Sequence, residues 1–157
     1  MIDEGSRAPD FDLPSDDGGN LGSSKLLGAP VVVYFYPKDD TSGCTAEAKD
    51  FSALAAEFAD LGVPVIGISP DSVASHAKFR TKHDLDLHVR LGADVAKTVV
   101  SAYGVWVEKS MYGRKYMGVE RATFLIDAKG NVAKAWRKVK VPGHAAAVLA
   151  AARTLRP

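Results

Sequence analysis

The run Pro30-Val31-Val32-Val33-Tyr34-Phe35-Tyr36, continued by Pro37-Lys38-Asp39-Asp40-Thr41-Ser42-Gly43-Cys44, joins a buried strand to the start of a helix. β-branched and aromatic side chains fill its first part without a polar interruption, as in a strand covered on both faces. Downstream, Phe51, Leu54, Phe58 and Leu61 recur at helical spacing with Ala55 on the same stripe, which predicts a helix over 44–60. Cys44, the one cysteine of the 157 residues, then falls in the first turn of that helix, at the C-terminal edge of a sheet. Backbone N–H groups without helical acceptors and the positive end of the helix dipole favour a thiolate there. A cysteine so placed reads as a redox nucleophile.

Outward from this junction, Gly62 sits where a C-cap belongs, and Val63–Ser69 is a second buried strand. Ser69-Pro70-Asp71 has the form of an N-cap with proline at the first helical position, opening a helix to about Lys82. Leu87–Leu91 is a short strand, Asp94 can cap a helix through Tyr103, and Gly104 ends it. Residues 105–120 read as a polar, glycine-containing connection. Ala122–Asp127 is a third core strand, turned by Ala128–Asn131 into a hairpin partner over 132–139 with alternating Lys134, Trp136 and Lys138. Pro142-Gly143-His144 precedes an alanine-rich helix over 144–155. Before the junction, Phe11-Asp12-Leu13 and the turn residues 15–20 predict an N-terminal hairpin or extended segment. The expected class is α/β: a thioredoxin-like mixed β-sheet flanked by helices, with an N-terminal hairpin extension. A doubly wound flavodoxin-like sheet is the alternative, against which the late hairpin argues.

The length suits a single domain, 1–157, able to bury roughly 70% of its unfolded surface. Twenty basic against nineteen acidic residues leave no general field for nucleic acid or an anionic membrane. One cysteine cannot form an internal disulfide, the N-terminus shows no signal peptide, and no apolar run is long enough to span a bilayer, so a cytoplasmic protein is expected. His76, His83, His88 and His144 are scattered without metal-ligand spacing and are expected at the surface, so no metal or cofactor is expected. The basic run Lys134, Arg137, Lys138 and Lys140 around Trp136 fits a solvated edge strand better than a nucleic-acid face. Gly18-Gly19 is a turn, since no G-K-[ST] follows. Met111, Tyr112, Tyr116 and Met117 either line a substrate or partner surface or pin their loop.

Pro37-x-x-x-Thr41-x-x-Cys44 resembles the active-site signature of the peroxiredoxins, and Gly118–Asp127 resembles the segment that supplies their active-site arginine, here Arg121. Tyr34–Thr41, Met111–Gly118 and Trp136–Lys140 are similar to one branch, the bacterioferritin comigratory protein or peroxiredoxin Q group. The resemblance runs from about residue 8 to 150. It implies a thiol-dependent peroxidase acting on hydrogen peroxide and small organic hydroperoxides, usually as a monomer. Two positions depart from the branch. Lys49 stands where many members carry a resolving cysteine, and residues 70–82, where others carry it, hold none; Arg80 lies near that place. The chain therefore resembles a one-cysteine member. Ser42 replaces a usual proline, a change worth about 0.4–1 kcal/mol through the unfolded chain and without catalytic meaning.

Peroxide reduction requires an ionised sulfur, attack along the O–O bond, and donors for the oxygen that gains charge. The helix terminus and Arg121 supply the first, but going from a few per cent thiolate to nearly all gains only about 30-fold, and nucleophilicity falls as the thiol becomes more acidic. The rest must come from donors aimed at the peroxide, each worth about 2.7–4 kcal/mol: the Thr41 hydroxyl, the backbone N–H groups of Gly43 and Cys44, and the Arg121 guanidinium. Pro37, lacking an N–H, can wall the pocket from water. Glu47, one turn after Cys44, is placed by spacing to hold Arg121. The product on sulfur is a sulfenic acid, which an external thiol (thioredoxin, glutaredoxin or glutathione) must reduce. A redox sensor or chaperone that keeps the fold is a rival; a cysteine hydrolase is a weaker one, because no histidine is placed near Cys44.

Overall fold

The computed structural model describes residues 2–155, so Met1, Arg156 and Pro157 of the expected 1–157 domain lie outside the described residues. The junction strand is β3 (Val31–Phe35), buried at every position, and it lies at the middle of a five-stranded sheet. The preceding β1 (Asp12–Pro14) and β2 (Asn20–Gly22) form the expected N-terminal hairpin, in the register Leu13↔Leu21. Parallel to β3 runs β4 (Val65–Ser69), and beyond it β5 (Val89–Ala93). On the other side β8 (Ala122–Ile126) pairs antiparallel with β3, and β9 (Val132–Trp136) antiparallel with β8. The strand order β5-β4-β3-β8-β9, with two antiparallel pairings at one end, is the thioredoxin-like arrangement and not a doubly wound one.

Each face of the sheet carries its own apolar layer. Val32, Tyr34, Tyr36, Leu125 and Val65 point toward α1 (Ser42–Ala53), α2 (Ala55–Asp60), α3 (Val73–His83) and α5 (His144–Arg153). Val31, Val33, Phe35, Phe124 and Ile68 meet the N-terminal hairpin and the short α4 (Thr98–Ala102). The period of two along β3 thus sorts its residues between two cores, as a strand covered on both faces requires.

Several boundaries differ from those read in the sequence. The helix expected over 44–60 is two helices, because Leu54 leaves helical dihedrals (φ −99°, ψ 6°) and its N–H turns back to Phe51 and Ser52. Phe51, Ala55 and Phe58 remain buried on one stripe across the break. Ser72, not Ser69, caps α3, its Oγ accepting from the Ser75 N–H at 3.1 Å. Ser69 instead ends β4 and donates to Asp71. Asp94 does serve α4, its carboxylate accepting from the N–H groups of Val99 and Val100 at 3.0 and 2.8 Å.

The polar connection 105–120 is a hairpin, β6 (Trp106–Met111) and β7 (Arg114–Val119), closed by Tyr112 and Gly113 with positive φ. Most of its side chains are exposed on both faces, so no apolar alternation marked it.

Tyr34 lies so close under β4 that a Cβ at Gly67 would come within 2.6 Å of its ring. Replacing Gly67 with alanine is expected to destabilise the fold by about 2–3 kcal/mol through overpacking, read as a lower urea midpoint with unchanged slope; an unchanged midpoint would show that the two strands part freely at this point.

Candidate active site

Cys44 occupies the third residue of α1 and is 2% exposed. The register Phe35↔Ala122 sets Arg121 just before β8, beside the end of β3 where the chain leaves for α1. From there the guanidinium reaches back over the helix tip. Its Nη2 donates to Cys44 Sγ at 3.2 Å and its Nη1 to Glu47 Oε1 at 2.6 Å. Cys44 and Glu47 are three residues apart on one face of α1, which is why one planar fork can engage both. Gly43 makes room: a Cβ there would meet Arg121 Nη2 at 3.2 Å.

The electrostatics follow from burial. The Glu47 side chain is 1% exposed and its Oε2 finds no hydrogen-bond partner among the described residues. Burial pushes its carboxyl up from 4.5 to about 7, against the opposing pull of Arg121. Arg121, whose side chain is 17% exposed, is held cationic by the charges of Glu47 and Cys44, which outweigh its own desolvation. His144 is pushed down to about 4 by burial and by Arg121, so it stands neutral, with Nε2 2.7 Å from Thr123 Oγ1. Lys109 on β6 lies below its usual range through burial and the Arg121 charge, offset in part by Cys44 and Glu120, which brings the unforeseen hairpin to the site.

The segment before the cysteine is held from outside. Thr41 occupies the N-cap position of α1, but its hydroxyl donates to the Lys38 carbonyl at 2.9 Å instead of capping the helix or meeting the sulfur. Pro37 is half-buried at the end of β3. Asp39 is buried and accepts from Tyr36 Oη (2.6 Å) and Ser75 Oγ (2.8 Å), while its N–H donates to Asp71 (2.8 Å). His76 lies 2.7 Å from Asp39 through Nδ1 and 3.0 Å from the Gly92 carbonyl through Nε2. Asp40, at φ 61°, reaches Lys82 Nζ and His83 Nε2, both at 2.7 Å.

Sequence reasoning brought Cys44, Arg121, Glu47 and Gly43 together as they stand. It missed Asp39 and His76 as a pair. Surface placement of the histidines is corrected for His76 and His144, which are buried against polar partners. Asp39, Asp71 and His76 come within metal-ligand distance of one another, yet their facing atoms are engaged in the hydrogen bonds just described.

A thiol on the first turn of a helix, covered by an arginine that precedes the neighbouring strand of a thioredoxin-like sheet, is the arrangement of a thiol-based redox protein. Residues 5–135 match the AhpC/TSA family. The chain is 47% identical to a putative peroxiredoxin Bcp of Coxiella burnetii over 94% of its own length and 97% of the relative's. It is 46% identical to peroxiredoxin Bcp of Bacillus subtilis, over 94% and 93%. The solved bacterioferritin comigratory protein of Xanthomonas campestris superposes with a TM-score of 0.91 at 41% identity, covering 99% of this chain and all of that one. The chain belongs to the AhpC/TSA family, in its bacterioferritin comigratory protein or peroxiredoxin Q branch, the reaction of which is thiol-dependent peroxide reduction.

Glu47 gives a signed pH dependence. Between about pH 4.5 and 7 the folded chain holds the Glu47 proton while the unfolded chain releases it, so this group's contribution to stability falls as pH rises through that window. Glu47→Gln keeps an acceptor for Arg121 and has no such proton. The stability difference, variant minus wild type, is expected to be about 2 kcal/mol more favourable at pH 8 than at pH 5 by urea unfolding; equal differences at both pH values would mean that Glu47 is ionised throughout.

Proposed function

We propose that this chain is a one-cysteine peroxidase that reduces hydrogen peroxide and small organic hydroperoxides through a sulfenic acid on Cys44, recycled by an external thiol. The observation that carries this reading is the Arg121 guanidinium donating to Cys44 Sγ at 3.2 Å while anchored on Glu47. The Xanthomonas campestris relative is described by its alkyl peroxide reduction activity, which supports an organic hydroperoxide as substrate here.

The Cys44 thiolate attacks the nearer peroxide oxygen, the O–O bond breaks, and the departing oxygen takes a proton to leave as water or an alcohol. A guanidinium has five N–H groups. Two are spent on Glu47 and Cys44, leaving further hydrogens on the same fork for a peroxide oxygen beside the sulfur. The Gly43 and Cys44 N–H groups at the start of α1 lack helical acceptors and complete the donor set. Pro37 walls the pocket, and Thr41 acts by shaping the turn through Lys38.

Cys44 is the one cysteine, so the sulfenic acid cannot be resolved within the chain. Thioredoxin, glutaredoxin with glutathione, or glutathione itself supplies the thiol. Cys44, Glu47 and Arg121 all come from a single chain, which supports a working monomer. A lone free thiol is at home in a reducing compartment such as the cytoplasm.

Peroxide consumption with dithiothreitol should vanish in Cys44→Ser and fall about 10²–10³-fold in Arg121→Ala; turnover that survives in Cys44→Ser would remove the assignment. A sensor that keeps the fold would show oxidation of Cys44 but negligible turnover with every reductant offered. Because the sulfenic acid waits for an outside thiol, excess peroxide should carry it to sulfinic acid. Intact mass after a high peroxide dose should show a gain of two oxygens, and an adduct that never exceeds one oxygen would show that the intermediate is protected.

A further inference from the structure

We propose that the groove beside Arg121 holds the carboxylates of a small anionic thiol, which it delivers to oxidised Cys44; this rests on the one-cysteine reading above and names the chemical class of its reductant. The groove has a volume of about 450 Å³ and is lined chiefly by Trp136, Arg137, Lys138, Val139, Lys140 and His144. It is a depression open to solvent along one side of its length. Among the described residues no acidic side chain lines it.

Its place relative to the sulfur follows from strand register. β8 and β9 pair Thr123 with Trp136, where β9 ends. Beyond that end the chain returns to β8 at Val139, whose N–H donates to the Arg121 carbonyl at 3.0 Å. The groove therefore begins one strand spacing, about 4.8 Å, from the backbone of the residue whose guanidinium touches Cys44.

Its charges are of two kinds. Arg137 is held through Nε on Glu120 and Nη2 on the Gly104 carbonyl, both at 2.8 Å, while its buried Nη1 meets no partner among the described residues. Lys138 and Lys140 are exposed and make no ion pair among the described residues. Lys138 holds a left-handed backbone conformation (φ 49°), which turns the chain out of β9 and along the groove. His144 is neutral and contributes no cation. The ten-residue α5 starts beside the groove with Gly143 as its N-cap, and the His144 N–H donates to the Val141 carbonyl at 3.0 Å. Two unpaired ammonium groups and the half-buried face of Trp136 suit a short molecule with carboxylates at its ends and an apolar stem. Cys44 is 2% exposed, which favours a thiol carried on a slim chain over one set in a broad protein surface.

The chemistry closes with two thiols. The first attacks the Cys44 sulfenic acid; an S–S bond forms, the S–O bond breaks, and the oxygen leaves as water with the thiol's proton and one from solvent or the sulfenic acid itself. A second thiol attacks the outer sulfur of the mixed disulfide, releasing Cys44 as thiolate and the small disulfide as product. Cys44 is reduced by two electrons, and the two thiols are oxidised by one each.

The test compares glutathione with its diethyl ester, which keeps the thiol and masks both carboxylates, as reductants under fixed peroxide, each rate referred to the same thiol's reaction with a small disulfide. The acid is expected to exceed the ester by about tenfold in kcat/KM at low salt, consistent with two surface charge pairs. The gap should close at about 0.5 M salt and disappear in the Lys138→Glu, Lys140→Glu double variant. No acid–ester gap in the wild type, with turnover by dithiothreitol intact, would overturn the groove alone, and needs no variant to fold. A gap untouched by the double variant would overturn it too. Failure with every thiol, dithiothreitol included, would instead overturn the one-cysteine peroxidase reading.

Discussion

One guanidinium shared between a sulfur and a buried carboxylate organises this molecule. Arg121 needs compensating charge because it is only 17% exposed, and Cys44 and Glu47 supply it from a single helix face. Glu47 in turn is buried to 1% and has no other partner among the described residues. Removing Glu47 would leave the Arg121 guanidinium desolvated without its buried partner, which costs far more than the net strength of the pair. The geometry rests on the β3–β8 register. A slip of one residue there would send Arg121 to the opposite face of the sheet, away from α1. Packing of the apolar residues on both faces of β3 excludes such a slip, so the ordinary hydrophobic pattern of the core is what aims the arginine.

The loop between β3 and α1 has no comparable support of its own. Asp39 and Asp40 hand it to α3, through His76, Ser75, Lys82 and His83. α3 is tied down again by Arg80, which donates to Asp16 and to the carbonyls of Leu85, Asp86 and Val89. Near the place where some members of the branch carry a cysteine, this chain carries a residue that fastens the helix to its surroundings. The loop from Pro37 to Thr41 thereby gains a fixed platform.

How much of this was legible in the sequence depended on the range of the signal. The buried strands, the cysteine at the helix tip and the arginine ahead of a core strand were carried by contiguous patterns, and they stand where expected. The β6–β7 hairpin was not, because its two strands are wet on both faces and its turn uses Tyr112 where asparagine or glycine would have announced it. His76 was mistaken for a surface residue since nothing near it in the chain marks burial. Its partner Asp39 is 37 residues away, and the carbonyl it meets belongs to Gly92. The break at Leu54 had no glycine or proline to signal it. Local propensity located the chemistry, and tertiary hydrogen bonding decided how it is held.

In the one-cysteine cycle proposed above, the absence of a second cysteine moves part of the catalysis to the protein surface. A chain that resolves its own sulfenic acid can keep the sulfur covered and bring its partner thiol by a change of fold. In the proposed cycle Cys44 is 2% exposed, and the partner arrives by diffusion and competes with a second peroxide for the same sulfur. Recognition of the incoming thiol close to Arg121 therefore bears on survival of the enzyme as well as on its rate. A basic strand edge beside the arginine serves two physical ends. Lys134, Lys138 and Lys140 discourage another sheet from adding to β9, and under the proposal above the two nearest Arg121 also attract an anionic thiol. Neither end requires the other, but a single stretch of chain meets both because β9 is at once the edge of the sheet and the neighbour of the strand that Arg121 precedes.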